Sequence, residues 1–372
     1  MERLTKVLMT ADAIGGVWTY ALDLAAGLQE RGVAITLAVL GPAPSDAQRG
    51  EANAVPGLRL IETGLRLDWT AEDAEQVAEA GRSLAVLAAE MDCDLVHLNN
   101  PALAAAARFP CPVIAVCHSC VATWWDAVRG GDLPADFAWR TDLVRQGYRA
   151  ADLLLAPSAA FAQATAQAYA PLEQLRVVHN GRASRPRSTT SAGATEPFVL
   201  TAGRLWDEGK NVAALDRVAG RLAAPVLAAG PTVGPNGAAV VLHHAKALGH
   251  VPMEALDTLF AARPIFASLA FYEPFGLAVL EAAQAGCPLV ISDIPTFREL
   301  WDDAATFVDP RDEDGIARAL SRLLADPAEH ERLGRAGQER AGRYTVTAMV
   351  DGVEKAYRDV LSRRRAKLMT AA

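Results

Sequence analysis

The stretch PIFASLAFYEPFGLAVLEAAQAGCPLVIS, residues 264–292, contains the pattern that decides the fold. Its two ends, 264–268 and 288–292, are short apolar runs typical of buried strands. Residues 276–285 between them are apolar or small on nearly every face, which is typical of a helix packed between layers. Pro274 suits the start of this helix and Gly286 its end. The stretch therefore predicts a strand, a helix and a second strand.

The same alternation of apolar runs and Ala-rich helical stretches continues along the whole chain, and it indicates an α/β fold with parallel sheets covered by helices. Each half of the chain forms its own set of strand and helix units. The runs that we interpret as strands are 6–10, 33–40, 58–61, 94–98, 112–117, 152–156 and 176–178 in the first half, and 198–202, 225–229, 238–242, 264–268 and 288–292 in the second.

A chain of 372 residues is longer than one hydrophobic core usually organises, so two domains are expected. Residues 182–196 are rich in Ser, Thr, Pro, Gly and Arg and lack hydrophobic periodicity, as in an exposed linker. We therefore predict an N-terminal domain at 1–181 and a C-terminal domain at 197–345, with ligands bound in the cleft between them at the carboxyl ends of the strands. A helical stripe over 344–361 could dock on either domain.

Composition excludes several classes of function. The net charge of −8 argues against nucleic-acid binding, for which positive charge is usually gathered on one face. No apolar run is long enough to span a bilayer and the N-terminus does not read as a signal peptide, so we expect a cytoplasmic protein with reduced cysteines. The basic cluster 363–365 with Lys367 could weakly touch an anionic lipid surface or could be a solvated helix end.

Two predicted loops at carboxyl ends of strands have the composition of an anion site. Gly15 and Gly16 precede a helix and would let backbone amides approach a phosphate, although a plain turn is an equal alternative. Arg204 and Lys210 follow the strand 198–202 and suit a diphosphate. The alternative for these two cations is a solvated loop in which they pair with Asp207 and Glu208.

Glu273 and Glu281 are the two carboxylates of the opening stretch. A charge inside an apolar helix must be compensated, so Glu281 needs either a dedicated buried cation or a ligand that donates hydrogen bonds. If the helical phase extends back to Glu273, their spacing places both side chains within one quadrant of the helix. Both could then bind one elongated, hydroxyl-rich ligand with an anionic group at the helix N-terminus between them. A nucleotide sugar has this chemistry.

The segment FYEPFGLAVLE resembles the E-x7-E signature of retaining glycosyltransferases with the GT-B fold, and the whole chain resembles glycosyltransferase family 4. The resemblance also covers IGGVWTYALDLAAGL, VHNGR, AGRLWDEGKN and GCPLVISDIPTFREL, in this order along the chain. It implies two Rossmann-like domains that face each other across a cleft. It also implies that helix 346–365 returns to the N-terminal domain.

The resemblance assigns roles to individual residues of a donor site. Glu281 would hold the ribose hydroxyls and Glu273 those of the donor sugar. Arg204 and Lys210 would neutralise the diphosphate, His118 would lie near the sugar, and Gly15 and Gly16 near the phosphates or the acceptor. The donor would also be held by backbone amides at Phe275, Gly276 and Leu277.

The implied activity is transfer of a sugar from a nucleoside-diphosphate sugar to a hydroxyl acceptor, with neither a metal nor a further cofactor. The spacing between Arg204 and Lys210 is one residue longer than is common in the family, and Ser119 and Cys120 follow His118 where many members have other residues. Cys117 and Cys120 also form a C-x-x-C pair, for which zinc or redox chemistry is the alternative to burial. Alternative functions are a non-catalytic nucleotide-sugar sensor, a partner subunit or a nucleotide-sugar epimerase.

Overall fold

The computed structural model describes residues 4–170, 172, 174–183 and 196–371. The chain divides into two compact units, one formed by Met1–Gly181 with Val346–Ala372 and the other by Arg182–Thr345. Most of the predicted linker, residues 184–195, lies outside the described residues. We treat the two units separately below.

Unit 1 contains a sheet of seven parallel strands in the order β3-β2-β1-β4-β5-β6-β7. The strands are β1 (Lys6–Asp12), β2 (Ala34–Leu40), β3 (Arg59–Glu62), β4 (Leu95–Leu98), β5 (Val113–Val116), β6 (Leu153–Ala156) and β7 (Leu175–Val177). Its helices up to β7 are α1 (Gly16–Gln29), α2 (Asp46–Asn53), α3 (Ala74–Glu90), α4 (Val121–Val128), α5 (Ala138–Ala150) and α6 (Ala159–Tyr169).

Unit 2 contains a sheet of six parallel strands in the order β10-β9-β8-β11-β12-β13. The strands are β8 (Val199–Ala202), β9 (Val226–Ala229), β10 (Lys246–Gly249), β11 (Ile265–Ser268), β12 (Leu289–Ser292) and β13 (Thr306–Val308). Its helices are α7 (Val212–Ala219), α8 (Met253–Ala261), α9 (Leu277–Gln284), α10 (Pro295–Trp301), α11 (Glu313–Ala325) and α12 (Pro327–Ala341). The α/β class predicted from the sequence is confirmed in both units.

The helix that ends the chain, α13 (Val346–Ala371), belongs to unit 1 and packs on α1. Its buried side chains continue the core of that unit, where Val350 lies against Gly27. A Cβ atom on Gly27 would lie 2.6 Å from Val350 Cγ2, so the absence of a side chain there allows the close approach. Arg364 Nη2 in the basic cluster donates to the carbonyl oxygen of Pro110 at 2.6 Å, also within this unit.

The edge of the unit 2 sheet differs from the prediction. Residues 238–242 are not a strand and form only an isolated bridge at Ala239. The edge strand of the sheet is β10, which comes after these residues in the chain. The carboxylate of Asp216 accepts hydrogen bonds from the amides of His243, His244 and Ala245 and holds the chain at the entry to β10. The sequence analysis also missed β13, which has only three residues.

The helix in the opening stretch begins later than predicted. Gly276 is the N-cap of α9 with a φ of 93°, a left-handed conformation that glycine adopts readily. Residues 271–276, including Pro274, are therefore irregular, and the helical phase does not extend back to Glu273. The spacing argument that placed Glu273 and Glu281 on one quadrant of a helix is wrong for this reason.

Candidate functional site

The loops predicted to bind the donor lie at the point where the sheet of unit 2 changes winding direction. β8 and β11 are neighbours in this sheet, and from them the strand order proceeds toward opposite edges. Such a switch point opens a crevice at the carboxyl ends of the strands, where open α/β sheets bind ligands. The Arg204–Lys210 loop follows β8 and Glu273 follows β11. The amide of Phe271 donates to the carbonyl oxygen of Gly209 at 2.9 Å, which joins the two loops.

Lys210 and Glu273 meet across these loops. Lys210 Nζ donates to Glu273 Oε2 at 2.5 Å, and the two side chains are 21% and 15% exposed. A pair that is largely withdrawn from water interacts more strongly than a surface pair. The structure thus brings together one cation and one carboxylate that the sequence analysis assigned to adjacent parts of one ligand.

Arg204 has a local partner. Its Nη2 atom donates to Asp207 Oδ2 at 3.0 Å, and its guanidinium lies 5.8 Å from the centre of the Trp206 ring. The Asp207 carboxylate also accepts the amide of Gly209 and so fixes the turn. The sequence analysis gave pairing within the loop as the alternative to anion binding. This pairing is observed for Arg204, whereas Lys210 pairs with Glu273, outside the loop. The guanidinium side chain is 36% exposed, which leaves it within reach of an entering anion.

The N-terminus of α9 lies directly after the loop that carries Glu273. Gly276 is tightly packed, since a Cβ atom there would lie 3.1 Å from the Phe297 ring and 3.3 Å from Glu273 Cγ. The first N–H groups of any α-helix have no acceptor within the helix, and the helix dipole gives this end partial positive charge. The amides at Gly276 and Leu277 thus belong to a helix end suited to an anion, next to the Lys210–Glu273 pair.

Glu281 has the buried cation that the sequence analysis required of a structural glutamate. Arg182 Nε donates to Glu281 Oε1 at 2.8 Å, and the side chains are only 8% and 14% exposed. Gln284, one turn further along α9, donates to the carbonyl oxygen of Arg182 at 3.1 Å. Arg182 was missed as a partner because it lies 99 residues away in sequence. The signal that could have identified Arg182 is its position in the VHNGR motif.

The predicted residues of unit 1 also lie at carboxyl ends of strands, and β1 and β4 form the switch point of that sheet. Gly15 is the N-cap of α1 with a φ of 84°, and Gly16 begins the helix. His118 follows β5, and its ring contacts Tyr20 of α1 edge to face at a centroid distance of 4.5 Å. Tyr20 therefore connects the helix that starts at the glycine pair with His118.

His118 is one end of a polar network that the sequence analysis did not predict. Its Nε2 atom lies 2.8 Å from Asn99 Oδ1, and the same oxygen lies 3.2 Å from His97 Nε2. His97 Nδ1 in turn lies 2.7 Å from the hydroxyl of Tyr357 on α13. Asn99, His97 and Tyr357 are buried, whereas His118 is partly exposed.

Both imidazoles are held neutral by their surroundings. Burial, together with the proximity of His97, lowers the pKa of His118 to about 3. Burial lowers the pKa of His97 to about 4, although the hydrogen bond to Asn99 opposes the shift. Burial also raises the pKa of Tyr357 well above its usual range, so its hydroxyl remains protonated. The network contains no charge near neutral pH.

The C-x-x-C pair beside His118 is packed within unit 1. Cys117 is buried, and the hydroxyl of Tyr148 lies 2.6 Å from its sulfur. Burial raises the pKa of the Cys117 thiol, which disfavours the thiolate that metal binding requires. Burial acts in the same direction on Cys120, but side-chain hydrogen bonds with Cys117 and Thr123 outweigh it and lower the pKa of Cys120 to about 7. All five cysteines are free thiols. Within the described ranges, no group of three or more His, Cys, Asp or Glu residues is arranged to hold a metal ion, and no helix is long and apolar enough to cross a membrane.

Each of the two units matches a model of a glycosyltransferase family. The model named Glycosyltransferase Family 4 matches residues 14–182, and the model named Glycosyl transferases group 1 matches residues 238–340. Among curated proteins, the chain is 29% identical over 308 residues to glycogen synthase from Mycobacterium tuberculosis, which covers 73% of this chain and 70% of the relative.

Solved structures agree on the fold. Sucrose-phosphate synthase from Thermosynechococcus elongatus superposes with a TM-score of 0.78 at 18% identity, over 96% of this chain and 100% of that one. HepE from Anabaena, solved in complex with UDP-glucose, superposes with a TM-score of 0.74 at 19% identity, over 95% and 99% of the two chains. These likenesses identify the two parallel-sheet units as the two Rossmann-like domains of the GT-B fold. With matches to the family models in both units, the chain belongs to the GT4-type glycosyltransferases.

Proposed function

We propose that this glycosyltransferase moves a hexose from a nucleoside-diphosphate sugar to a hydroxyl acceptor, with retention of the anomeric configuration and without a metal ion. The acceptor is a glycan, a lipid-linked sugar or a small molecule. The observation that carries the proposal is the Lys210–Glu273 pair beside the N-terminus of α9, at the switch point of the unit 2 sheet. The UDP-glucose complex of HepE supports a donor of this class.

The diphosphate of the donor is assigned to the positive groups at this point. Arg204 can contact two oxygens with its planar guanidinium, and Lys210 supplies a compact charge. The amides at Phe275, Gly276 and Leu277 add the partial charge of the helix end. As the bond from the anomeric carbon to the diphosphate oxygen breaks, the leaving group gains negative charge, which these preorganised groups stabilise. In a mechanism without a metal, these are the groups that would neutralise the leaving diphosphate.

The hydroxyl groups of the donor are assigned to the carboxylates. Glu273, next to the helix end, would accept hydrogen bonds from the transferred sugar. Glu281, held by Arg182, would accept them from the ribose. Arg182 compensates the charge of Glu281 and fixes its carboxylate, so the buried glutamate combines a structural partner with a binding role. His118 and the pair Gly15 and Gly16 of unit 1 are assigned to the sugar and to the phosphates or the acceptor.

Retention follows if the acceptor oxygen attacks the anomeric carbon on the face from which the diphosphate leaves. The carbon–oxygen bond to the diphosphate breaks, a new bond to the acceptor oxygen forms, and the departing diphosphate takes the acceptor proton. Glu273 is then a binding group and not a nucleophile.

The proposal is tested by incubating the protein with UDP, GDP and ADP sugars and mixed hydroxyl acceptors. Mass spectrometry identifies the product, and proton NMR gives the anomeric configuration of the new bond. We expect a product whose configuration matches that of the donor. An inverted product would contradict retention, and binding without transfer to any acceptor or to water would favour a nucleotide-sugar sensor. Interconversion of donor sugars without transfer would indicate an epimerase.

A further inference from the structure

The orientation of the Asn99 side-chain amide is determined by its surroundings. Asn99 Nδ2 lies 2.7 Å from the backbone carbonyl oxygen of Thr10. A carbonyl oxygen only accepts hydrogen bonds, so the atom that faces it must be the NH2 group. The reversed amide would place two acceptors 2.7 Å apart with no proton between them. Asn99 Oδ1 therefore faces the two histidines.

This orientation fixes the protonation of both imidazole rings. Asn99 Oδ1 is an acceptor only, and it lies 2.8 Å from His118 Nε2 and 3.2 Å from His97 Nε2. Each Nε2 atom must then carry a hydrogen. Because neutral imidazole has one N–H, both Nδ1 atoms are acceptors. The hydroxyl of Tyr357 is a suitable donor for Nδ1 of His97, at 2.7 Å.

Nδ1 of His118 is the one acceptor of this network for which the described part of the chain provides no hydrogen-bond partner. The ring is partly exposed and is held from one side by the edge contact with Tyr20. An N–H or O–H donor can bind this atom, whereas the ionised oxygens of a diphosphate diester have no hydrogen to offer it.

We propose that Asn99 is a positioning residue that fixes His118 as the Nε2–H tautomer, so that His118 Nδ1 accepts a hydrogen bond from a hydroxyl group of the donor sugar or of the acceptor. The choice of a sugar hydroxyl rests on the proposed function, but the tautomer does not. The low pKa of His118 is consistent with this role, because it prevents the protonation that would turn Nδ1 into a donor. His118 thereby binds hydroxyl groups in preference to ionised phosphate oxygens.

The tautomer can be measured without a substrate. Long-range proton–nitrogen NMR correlations of the wild-type protein distinguish protonated from bare ring nitrogens. We expect Nε2 to be protonated and Nδ1 bare in both His97 and His118 near neutral pH. A protonated Nδ1 in His118 overturns the proposal, whatever the substrate of the enzyme proves to be.

Two variants test the role of Asn99. In Asn99→Ala the acceptor is lost, so the two His118 nitrogen signals should move toward each other as both tautomers become populated. In the matched control Tyr357→Phe, the network is broken one residue further away, so the His118 signals should keep their wild-type pattern. Unchanged His118 signals in folded Asn99→Ala contradict the proposal. If Asn99→Ala does not fold, the proposal is tested by the His118 tautomer in the wild-type spectrum and by the His118 signals of Tyr357→Phe.

Added ligands separate the sources of the hydroxyl group. A shift of His118 Nδ1 with a UDP, GDP or ADP sugar that binds the protein, but not with the corresponding free sugar, assigns the hydroxyl to the donor sugar, and the converse assigns it to the acceptor. Inorganic phosphate should leave the tautomer unchanged. Protonation of Nδ1 on addition of phosphate, or no response of Nδ1 to either sugar, contradicts the ligand part of the proposal.

Discussion

Lys210 Nζ lies 2.5 Å from Glu273 Oε2, so the cation assigned to the diphosphate and the carboxylate assigned to the sugar neutralise each other. A donor that binds here must compete with this contact for both side chains. The pair therefore links phosphate binding to sugar binding, since a phosphate that draws Lys210 away leaves the Glu273 carboxylate ready to accept hydroxyl groups.

We expect Lys210→Met and Glu273→Gln each to lower the free energy of unfolding of unit 2 by about 2 kcal/mol, because each leaves one partly buried group without its partner. The double variant should lose less than the sum of the two, since it removes both groups. Denaturant unfolding of the three variants measures the difference. Strict additivity would show that the pair contributes no coupling.

In turnover assays, variants of these two residues should differ from each other. Glu273→Ala should chiefly lower kcat, by about tenfold or more, because its contact with the sugar is aligned for the reaction. Lys210→Met should weaken both binding and turnover, because phosphate is bound before and after the bond breaks. Arg217→Met, which removes an exposed ion pair elsewhere in unit 2, is the control and should keep wild-type activity. Equal, negligible effects of the first two would contradict the assignment.

Arg182→Met should weaken nucleotide binding although Arg182 is not assigned to the ligand. Glu281 would lose its cation and the orientation of its carboxylate, and we expect the affinity for the nucleoside diphosphate to fall by about tenfold, or about 1.4 kcal/mol. Arg182→Lys should restore only part of the affinity, since a lysine cannot reproduce the guanidinium geometry. Calorimetry gives the affinities. If Arg182→Met binds the nucleoside diphosphate with wild-type affinity, Glu281 has only a structural role.

Gly230→Ala should reduce activity through the Arg204 loop. Gly230 directly follows β9 and has a φ of 136°, and a Cβ atom there would lie 1.8 Å from the carbonyl oxygen of Gly203. The added methyl group must displace the backbone next to Arg204, and a misplacement of about 1 Å at a reaction site can cost about a hundredfold in rate. Gly50→Ala, where a Cβ meets nothing within 4 Å, is the control. Steady-state kinetics of a folded Gly230→Ala variant at the wild-type level would contradict the expectation.

Asp216 should make the entry to β10 sensitive to acid. Burial acts to raise the pKa of Asp216, but the backbone amides of Ala245, His243 and His244 together outweigh it, so the pKa lies below its usual range. A lowered folded pKa contributes stability above the ordinary pKa of about 4, and this contribution is lost as the pH falls through the folded value.

Hydrogen exchange at the amides of residues 243–245 measures this effect locally. Asp216→Asn should accelerate exchange at these amides at about pH 7, and the difference from wild type should shrink progressively as the pH falls below the ordinary Asp pKa of about 4. Amides of β12, which are far from Asp216 in sequence and lie in the sheet interior, serve as the control. A variant effect that is as large in acid as at neutrality would contradict the role of the charge.

The sequence predicted the central strands closely because each is a short run of buried Val, Ile and Leu. It failed at the short elements β10 and β13, whose exposed or brief apolar pattern resembles a loop. It also failed at the start of α9, because the left-handed conformation of Gly276 is set by its packing and not by the local sequence.

For the candidate site, the sequence motifs indicated which loops carry the charges but not which charges meet. The Arg182–Glu281 pair joins residues 99 positions apart, and Tyr357 and His97 are separated by 260. Contacts of this kind depend on how the strands are ordered in the sheets, and neither composition nor local spacing contains that information.

Calorimetric titration of the protein with UDP, GDP and ADP sugars tests the central claim most directly, that the switch point of unit 2 binds a nucleoside-diphosphate sugar. We expect saturable binding of at least one donor, with an affinity that falls by about tenfold or more in Glu281→Ala and in Lys210→Met. Failure of all three classes of donor to bind the wild-type protein would contradict the account, and so would binding that neither variant weakens.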